Sequence, residues 1–483
     1  MRLLFRYWTS IAAFICISCL SMIKSQTLQT HSHAQACVPV PDKDPFYIPP
    51  TGYEKAAPGA VLRWRAIRTS AFLRVIPSSV AGWQLLYRTT AINGSAIATV
   101  TTIFQPQEAK TDRLVLYATG YDSAATQCHP SYNYRLGSLP RNPEMDGEIL
   151  IIQGLLRQRY VVSSPDYEGP DAAFTAGRLA GMSVLDSMRA VAHFRSKLKW
   201  SDSKPAIVGV GYSGGAIAIG WAAALHSQYA SELLIKGWAQ GGTPVNMTAT
   251  LLSIDRTAWA GFNIISIAGL IKPSAYLADL QPVWWSVLTT KGKTMVAFAQ
   301  TRCFLHVLMK YAYQSIFAAD IQSSGRGMLH HPVLKRVMED NTMGLSKTET
   351  PKAPMLIYHG AHDEICPYAE SVTLVRRWCT HGVSVNFITY DNSMHFTALV
   401  FGISKVYGFV NNAFAGNLPQ GCSYHHSRRS IRSPIGRVDK NLMPIMRRLE
   451  PVVRKLASWD RKVKDSSKDD DKFEAMKDSR SLS

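Results

Sequence analysis

The sequence predicts an α/β fold in which a mostly parallel central sheet is flanked by helices. Short apolar runs of strand length recur along the chain, and helical stretches such as 177–198 and 214–227 separate them. Apolar strands that alternate with helices indicate a parallel sheet covered on both faces. A hairpin over 87–104, turning at Asn93-Gly94, precedes the parallel part. The runs that we interpret as buried strands are 114–118, 160–163, 206–210, 235–239, 355–358 and 385–390.

The composition is that of a globular protein. Of the 483 residues, 46% are hydrophobic and 18% are charged, which excludes a disordered or collagen-like chain. A single α/β domain often exceeds about 250 residues. We therefore expect one large core domain, built from residues 81–245 and 353–424 and carrying an insertion.

The N-terminal residues predict secretion. Arg2 and Arg6 precede an apolar run over 11–20, so we interpret residues 1–25 as a signal peptide, with an uncleaved signal anchor as the alternative. Residues 26–60 are rich in proline, histidine and glutamine, and we interpret residues 26–80 as an N-terminal arm. An extracellular location follows from this prediction.

The cysteines fit an oxidising compartment. Two of the eight, Cys16 and Cys19, fall in the predicted signal, and an even number remains. Six cysteines allow fifteen connectivities, which the sequence alone does not resolve. Asn93 and Asn246 begin N-glycosylation sequons. The remaining cysteines are Cys37, Cys128, Cys303, Cys366, Cys379 and Cys422.

Two segments depart from the alternating pattern. Residues 246–352 are apolar and aromatic with few strand signals, and we interpret them as a helical cap that builds a substrate pocket; ordinary core helices are the alternative. We interpret residues 425–483 as a basic, largely disordered tail. A helix starting at Pro451 would suit a lipid interface, and a solvated, unstructured segment is the alternative. Arg428-Arg429 is a candidate processing site for removal of this tail.

The formal net charge of +19 favours anionic partners. We expect an anionic lipid or cell-wall surface, contacted through the tail. Nucleic acid is not expected, because the chain carries no nucleic-acid-binding motif.

Residues 211–215 match the G-x-S-x-G nucleophile elbow, with Ser213 at its centre. The serine of this motif stands on a tight strand-to-helix turn, where glycines two positions away relieve crowding. An apolar strand precedes the motif and a small-residue helix follows it, as the elbow requires. The backbone N–H of Gly214 would then point to the place where an oxyanion forms.

The acid and the base follow in the order that an α/β-hydrolase fold uses, serine, then acid, then histidine. Asp363 follows the predicted strand 355–358, with Glu364 as a weaker candidate. His395 follows the strand 385–390 in a predicted loop. Neutral imidazole takes the serine proton and later returns it to the leaving group, while the carboxylate fixes the imidazole tautomer.

Three alternatives compete with this assignment. His359 and His362 with Asp363 have a spacing that a metal site could use, although no further ligand set lies nearby. Asp166 also follows a strand and is an alternative acid. His129, which lies near Asp122 in the sequence, is an alternative buried polar residue without a chemical role.

Several motifs, in the same order, resemble the fungal secreted lipases of the Candida type over about residues 44–422. The turn after Ser164 carries one residue more than the family pattern, and Cys366 stands where the family has valine. The matching segments are Asp44-Pro45-Phe46-Tyr47, Leu86-Tyr87-Arg88-Thr89-Thr90, Tyr160-Val161-Val162-Ser163-Ser164 with Glu168-Gly169, Gly211-Tyr212-Ser213-Gly214-Gly215, Gly241-Gly242-Thr243-Pro244, and Asp363-Glu364 with Pro367-Tyr368.

The resemblance implies the triad Ser213, Asp363 and His395, which the chain order also selects. It adds Asp122, which would act with the Gly214 N–H on the oxyanion if its side chain is protonated or reoriented. It further implies a long acyl-chain tunnel under the helical cap.

The resemblance also implies disulfides Cys128–Cys303 and Cys379–Cys422. Cys37 and Cys366 are left over. Either they pair with each other, or Cys366 is a free thiol close to Asp363.

The function that the resemblance implies is that of a secreted triacylglycerol lipase. It would hydrolyse tri-, di- and monoacylglycerols through an acyl-enzyme at an oil–water interface, as a monomer and without a metal or organic cofactor. A short-chain carboxylesterase or a peptidase on the same scaffold is one alternative. A catalytically inactive lipid-binding or adhesion protein is another.

Overall fold

A ten-stranded sheet runs through the computed structural model, which describes residues 38–72, 74–139, 145–201 and 204–428. Two further short strands, β2 and β3, pair with each other outside it. The strands are β1 (Val61–Ile67), β2 (Ser70–Phe72), β3 (Ile76–Pro77), β4 (Ala81–Thr90), β5 (Ala96–Gln105), β6 (Arg113–Ala118), β7 (Val161–Pro165), β8 (Ala206–Tyr212), β9 (Ile235–Gly241), β10 (Met355–Gly360), β11 (Val385–Tyr390) and β12 (Ser423–Ser427).

Helices connect the strands and flank the sheet. Short 3-10 turns lie at Pro41–Lys43, Pro45–Tyr47, Tyr53–Lys55, Thr126–Cys128 and Gly325–His330. The α-helices are α1 (Pro130–Asn133), α2 (Met145–Arg157), α3 (Gly177–His193), α4 (Arg195–Leu198), α5 (Gly214–Tyr229), α6 (Met247–Ile254), α7 (Gly261–Leu270), α8 (Leu277–Val287), α9 (Thr290–Ala299), α10 (Phe304–Tyr311), α11 (Pro332–Asp340), α12 (Tyr368–Thr380) and α13 (His395–Ala415).

The sheet is antiparallel at one edge and parallel elsewhere. Its order is β1-β4-β5-β7-β6-β8-β9-β10-β11-β12, and the pairings from β7 to β12 are all parallel. The inner strands are almost wholly buried, because helices cover both of their faces. The predicted α/β-hydrolase fold is confirmed. The carboxyl ends of the parallel strands meet at one edge of the sheet, where ligands bind in such folds.

The predicted elements correspond closely to the observed ones. The hairpin is β4–β5, and the six predicted buried strands are β6 to β11. One sheet strand lies outside the predicted core and another runs past its end. β1 falls within the N-terminal arm predicted over 26–80 and pairs with β4, while β12 extends to Ser427, three residues past the predicted end of the core.

Close helix packing depends on small residues in the helices. Gly181 of α3 faces α5, where an added Cβ would lie 2.7 Å from the backbone carbonyl carbon of Trp221. Gly154 of α2 lies against Tyr407 of α13, whose hydroxyl donates to the Ile151 carbonyl at 2.9 Å. These contacts fix the helices that flank the strands carrying the predicted site residues.

The insertion between β9 and β10 is mostly helical. Residues 246–352 contain six α-helices, α6 to α11, and one 3-10 turn. Disulfide Cys128–Cys303 joins this segment to the loop after β6, and Cys379–Cys422 joins α12 to the segment before β12. These are the two pairs that the family resemblance implied.

Some predicted features lie outside the described residues. They are the signal peptide over 1–25, Cys37, and the tail after Arg428 with its helix at Pro451. Within the described ranges, Cys366 is a buried free thiol. No helix in those ranges is long and apolar enough to cross a membrane.

Candidate active site

Ser213 occupies a sharp turn between β8 and α5. Its φ of +54° lies in the left-handed region, an unusual conformation for a serine. The flanking glycines are required by crowding: a Cβ on Gly211 would lie 2.4 Å from the Gly215 carbonyl oxygen, and one on Gly215 would overlap the Ala118 carbonyl. The Ser213 N–H donates to the Gly241 carbonyl at 2.9 Å. The turn therefore holds the serine at the carboxyl end of the sheet, as the motif predicted.

His395 faces this serine. Its Nε2 lies 2.9 Å from Ser213 Oγ, and its side chain is almost completely buried. The residue is the first of α13, whereas the sequence predicted a loop, and its carbonyl accepts a hydrogen bond from the Tyr212 hydroxyl at 2.5 Å. The start of α13 and the Tyr212 hydroxyl together fix the backbone of His395 beside the elbow.

Asp363, in the turn after β10, completes the arrangement. Its Oδ2 lies 2.8 Å from His395 Nδ1, and its Oδ1 accepts from the backbone amides of Ile365 and Cys366 at 3.0 and 2.8 Å. The alternative acid, Asp166, instead accepts from the amide and the hydroxyl of a serine in α1, Ser131. The structure thus brings together the three residues that chain order selected.

The electrostatics of the pair favour an ionised Asp363 beside a protonated His395. Burial alone would raise the pKa of Asp363, but His395 and His359 outweigh it and hold that pKa below its ordinary range. Burial would lower the pKa of His395, yet the Asp363 carboxylate and its hydrogen bond raise it above the usual value. The imidazolium that forms when His395 takes a proton is therefore stabilised in place.

Asp122 lies against the elbow at Gly214. Its φ is +40°, and its Oδ1 is buried without a hydrogen-bond partner among the described residues. Burial raises the pKa of this carboxyl to about 7, although His395 acts in the other direction. A carboxyl that holds its proton near neutral pH can donate a hydrogen bond, as the resemblance required.

Glu364, the weaker candidate for the acid, does not contact the imidazole of His395 in the way that a triad acid does. Its Oε2 accepts the backbone N–H of His395 at 2.9 Å, and burial, followed by the charge of Asp363, raises its pKa to about 8. The side chain therefore holds the backbone of the histidine, not its ring. Its adjacency to Asp363 was the available sequence signal.

Of the alternative metal ligands, His359 lies against Asp363, with its Nε2 3.1 Å from Oδ2, but His362 does not join them in a ligand group. His359 is buried and its Nε2 faces the Cys366 carbonyl at 2.9 Å, whereas His362 is exposed. Ligating atoms of Asp363, Cys366 and His395 do lie within 4.8 Å of one another. Because Asp363 and His395 already form a hydrogen bond with each other, we assign no metal to these three residues.

His129 is buried close to Asp166, with its Nδ1 3.5 Å from Oδ2 of that residue. Burial lowers its pKa to about 3, so the ring is neutral. Its contacts are those of a buried polar residue, the role offered by the alternative interpretation. No hydrogen bond among the described residues joins it to Ser213.

Aromatic side chains of the insertion approach the site. The Trp259 ring lies 5.6 Å from the ring of Phe396, which itself lies 5.4 Å from the His395 ring. Phe262 stacks between Trp259 and Phe304, at 6.4 and 5.6 Å. An apolar wall therefore extends from the histidine into the segment predicted as a cap.

The two sequons differ in their surroundings. Asn93 is exposed in the β4–β5 turn, where its Oδ1 accepts hydrogen bonds from the amide and the hydroxyl of Ser95. Asn246 caps α6: its Oδ1 accepts from the Ala249 amide, and its Nδ2 donates to Glu370 at 3.2 Å.

Together, the fold and this side-chain arrangement are those of a serine hydrolase of the α/β-hydrolase class. The family model described as secretory lipase matches residues 141–421. The chain belongs to the secretory lipase family and is a secreted hydrolase of carboxylic esters.

Individual relatives agree with this membership. A secreted triacylglycerol lipase of Malassezia furfur is 35% identical over 429 residues, which are 88% of this chain and 90% of that protein. The X-ray structure of Candida antarctica lipase A in its closed state has a TM-score of 0.77 and 29% identity, covering 87% of this chain and 96% of that one. An esterase from Xanthomonas oryzae, at 15% identity and a TM-score of 0.57, shares the fold alone.

Proposed function

We propose that this protein is a triacylglycerol lipase that releases fatty acids from tri-, di- and monoacylglycerols, with Ser213 as its nucleophile. The observation that carries the proposal is the chain of contacts from Ser213 Oγ to His395 Nε2, at 2.9 Å, and from His395 Nδ1 to Asp363 Oδ2, at 2.8 Å. The secreted triacylglycerol lipases among its relatives support the choice of substrate.

Acylation begins when His395 takes the proton of Ser213 as the hydroxyl attacks the ester carbonyl. The resulting oxyanion accepts hydrogen bonds from the Gly214 N–H and from the protonated Asp122 carboxyl. The imidazolium then gives its proton to the departing glycerol oxygen. Asp363 remains ionised and stabilises the imidazolium throughout.

Deacylation repeats these steps with water as the nucleophile. His395 takes a proton from water, which attacks the acyl-enzyme carbonyl, and returns the proton to Ser213 Oγ as the fatty acid leaves. The oxyanion contacts from Asp122 and Gly214 act a second time. The cycle requires no metal or organic cofactor.

Apolar side chains favour a lipid substrate over a small soluble one. The aromatic wall of Trp259, Phe262, Phe304 and Phe396 offers a surface against which an acyl chain can pack. We propose residues 246–352 as a cap over the site that also meets the lipid surface. The exposed large apolar side chains of this segment are Leu252, Trp285, Met309, Tyr313 and Leu345.

The second candidate is a short-chain carboxylesterase on the same scaffold. It would use the same triad, and the shared fold of the Xanthomonas oryzae esterase shows that the scaffold is not restricted to one substrate. An inactive lipid-binding or adhesion protein is disfavoured, because it has no need of a hydrogen-bonded Ser213, His395 and Asp363.

We also propose that the enzyme acts as a monomer and does not bind nucleic acid. The basic residues of the 425–483 tail favour attraction to an anionic lipid or cell-wall surface.

The test compares release of fatty acid from emulsified long-chain triglyceride with hydrolysis of a soluble short-chain ester. The wild type should hydrolyse both, and Ser213→Ala should reduce kcat by at least about 10⁴-fold. Ser227→Ala, in the last turn of the same helix, is the matched control and should keep wild-type rates. Turnover of the short ester alone would replace the lipase with the esterase. Activity retained in Ser213→Ala would reject the nucleophile.

A further inference from the structure

The carboxylate of Asp363 has more hydrogen-bond donors than the triad requires. His395 Nδ1 faces Oδ2, and the amides of Ile365 and Cys366 donate to Oδ1. The fourth group is Nε2 of His359, which lies 3.1 Å from Oδ2. Since an ionised carboxylate offers about four lone-pair sites, His359 completes its hydrogen bonding.

The surroundings of His359 determine where its proton lies. Nε2 faces two acceptors, the Cys366 carbonyl at 2.9 Å and the ionised Asp363 carboxylate. Neither group has a proton to donate, so Nε2 carries the hydrogen. Nδ1 lies 2.9 Å from the hydroxyl oxygen of Ser371. The side chains of His359 and Ser371 are both fully buried.

These contacts tie the acid turn to two rigid elements. His359 is the penultimate residue of β10, and Ser371 lies in the first turn of α12. Asp363 stands in the turn that joins the two. The chain of polar contacts from Ser371 through His359 to Asp363 therefore spans the turn from its strand to its helix.

We propose that His359 is a positioning residue of the catalytic triad, sharing its Nε2–H between the Cys366 carbonyl and the Asp363 carboxylate so that Oδ2 stays aimed at His395. Without this donor, the buried carboxylate loses one of its four partners and the constraint on its orientation. The bond between Asp363 and His395 is then less well aligned, and the imidazolium is less stabilised in the transition state. The inference rests on the proposed role of Asp363 as the acid of the triad.

The experiment measures kcat and KM on a soluble short-chain ester for two substitutions at this position. His359→Leu removes both ring nitrogens at similar size, while His359→Gln keeps an N–H donor near the position of Nε2. Removing the partners that orient active-site histidines at metal sites costs about 10- to 100-fold. We expect a similar fall in kcat for His359→Leu, an unchanged KM, and recovery of most of the rate in His359→Gln.

A matched control separates positioning from loss of packing. His226 is another buried histidine, in α5, whose Nε2 faces the Leu233 carbonyl at 3.2 Å. His226→Leu should lower the melting temperature and leave kcat unchanged. Comparing kcat at equal folded fraction, measured by circular dichroism, shows whether the effect at His359 is specific.

Two results would overturn the proposal: a folded His359→Leu enzyme with wild-type kcat, or a His359→Gln enzyme no faster than His359→Leu. If His359→Leu is not secreted in folded form, Ser371→Ala takes its place, and an unchanged kcat there would also reject the role. Asp363→Asn distinguishes the two levels of inference. Activity retained in Asp363→Asn contradicts the proposed function, whereas an inactive Asp363→Asn beside an unaffected His359→Leu contradicts the positioning role alone.

Discussion

A Cβ atom built on Gly214 would collide with Oδ1 of Asp122. The glycine after the nucleophile is therefore needed for space as well as for its N–H, because the Asp122 carboxyl lies directly against it. This contact places the two proposed oxyanion donors next to each other. It also makes Gly214 a position where one added methyl group tests the oxyanion site.

Gly214→Ala should lower kcat by about 10²- to 10³-fold, the cost of losing one oxyanion donor, because the methyl group displaces the Asp122 carboxyl. The measurement is kcat on a soluble ester, with the folded fraction checked by circular dichroism. Gly147→Ala is the control, since an added Cβ there meets nothing within 4 Å. Equal rates for the two alanine variants would exclude Asp122 from the oxyanion site.

Substitution of Asp122 should change the pH dependence of the rate. Burial raises its pKa to about 7, so the carboxyl is a donor below that pH and loses its proton above it. Asp122→Asn keeps an N–H donor at every pH. We expect wild-type kcat to fall through an apparent pKa near 7 on the alkaline side, and the fall to disappear in Asp122→Asn.

Other titratable groups close to Asp122 also contribute to the pH dependence of kcat. His395, Glu168, Tyr167 and Cys366 all interact electrostatically with Asp122. His395 loses its proton as pH rises, which increases activity, so it cannot produce the same alkaline fall. Asp122→Leu, which has no donor, should be slow at all pH values. An alkaline fall that persists unchanged in Asp122→Asn would assign it to another group.

A residue of this site could be predicted from the sequence when the pattern that identifies it lies within a short stretch of the chain. The elbow around Ser213 is a contiguous pattern whose strand and helix are its neighbours in the chain, so it could be recognised directly. Asp363 and His395 followed from chain order, because the ends of parallel strands meet at one edge of the sheet. Asp122 was supplied by family resemblance, since its contact with Gly214 exists only after folding.

Other features escaped prediction for the same physical reason. His359 and His362 look like a pair in sequence, but one is buried in β10 and the other is exposed. β12 was partly missed because its polar residues, at a sheet edge, resemble the basic tail that follows. The burial of His359 and the pairing of β12 with β11 are set by tertiary contacts, which the pattern of residues along the chain does not reveal.

Glu364 should make the protein less stable as the pH rises. Its pKa is raised to about 8 in the folded state from an ordinary value of 4.5, so between these values the folded state holds a proton that the unfolded state has released. Folding stability therefore falls through this window, by up to about 1.4 kcal/mol per pH unit. Glu364→Gln keeps an acceptor for the His395 N–H and removes the titration.

Urea unfolding at pH 5 and at pH 8 checks this expectation. The free energy of unfolding of the wild type should drop more between the two pH values than that of Glu364→Gln. The difference between the two proteins isolates Glu364, because the other buried acids are common to both. Identical pH dependence in wild type and variant would show that Glu364 titrates alike in the folded and unfolded states.

Asn93 should carry an N-linked glycan in the secreted protein, and Asn246 should not. Asn93 is exposed at a hairpin turn, whereas Asn246 uses its side chain to cap α6 and to bond Glu370. Asn93→Gln should therefore reduce the mass of the secreted protein to that of the wild type treated with peptide N-glycosidase, apart from the small difference between the side chains. Asn246→Gln should leave the mass unchanged except for the substitution, and should destabilise the protein by about 1 kcal/mol through loss of the cap. A glycan mass that survives in Asn93→Gln and disappears in Asn246→Gln would reverse the assignment, and would require the α6 cap to open in the folded enzyme.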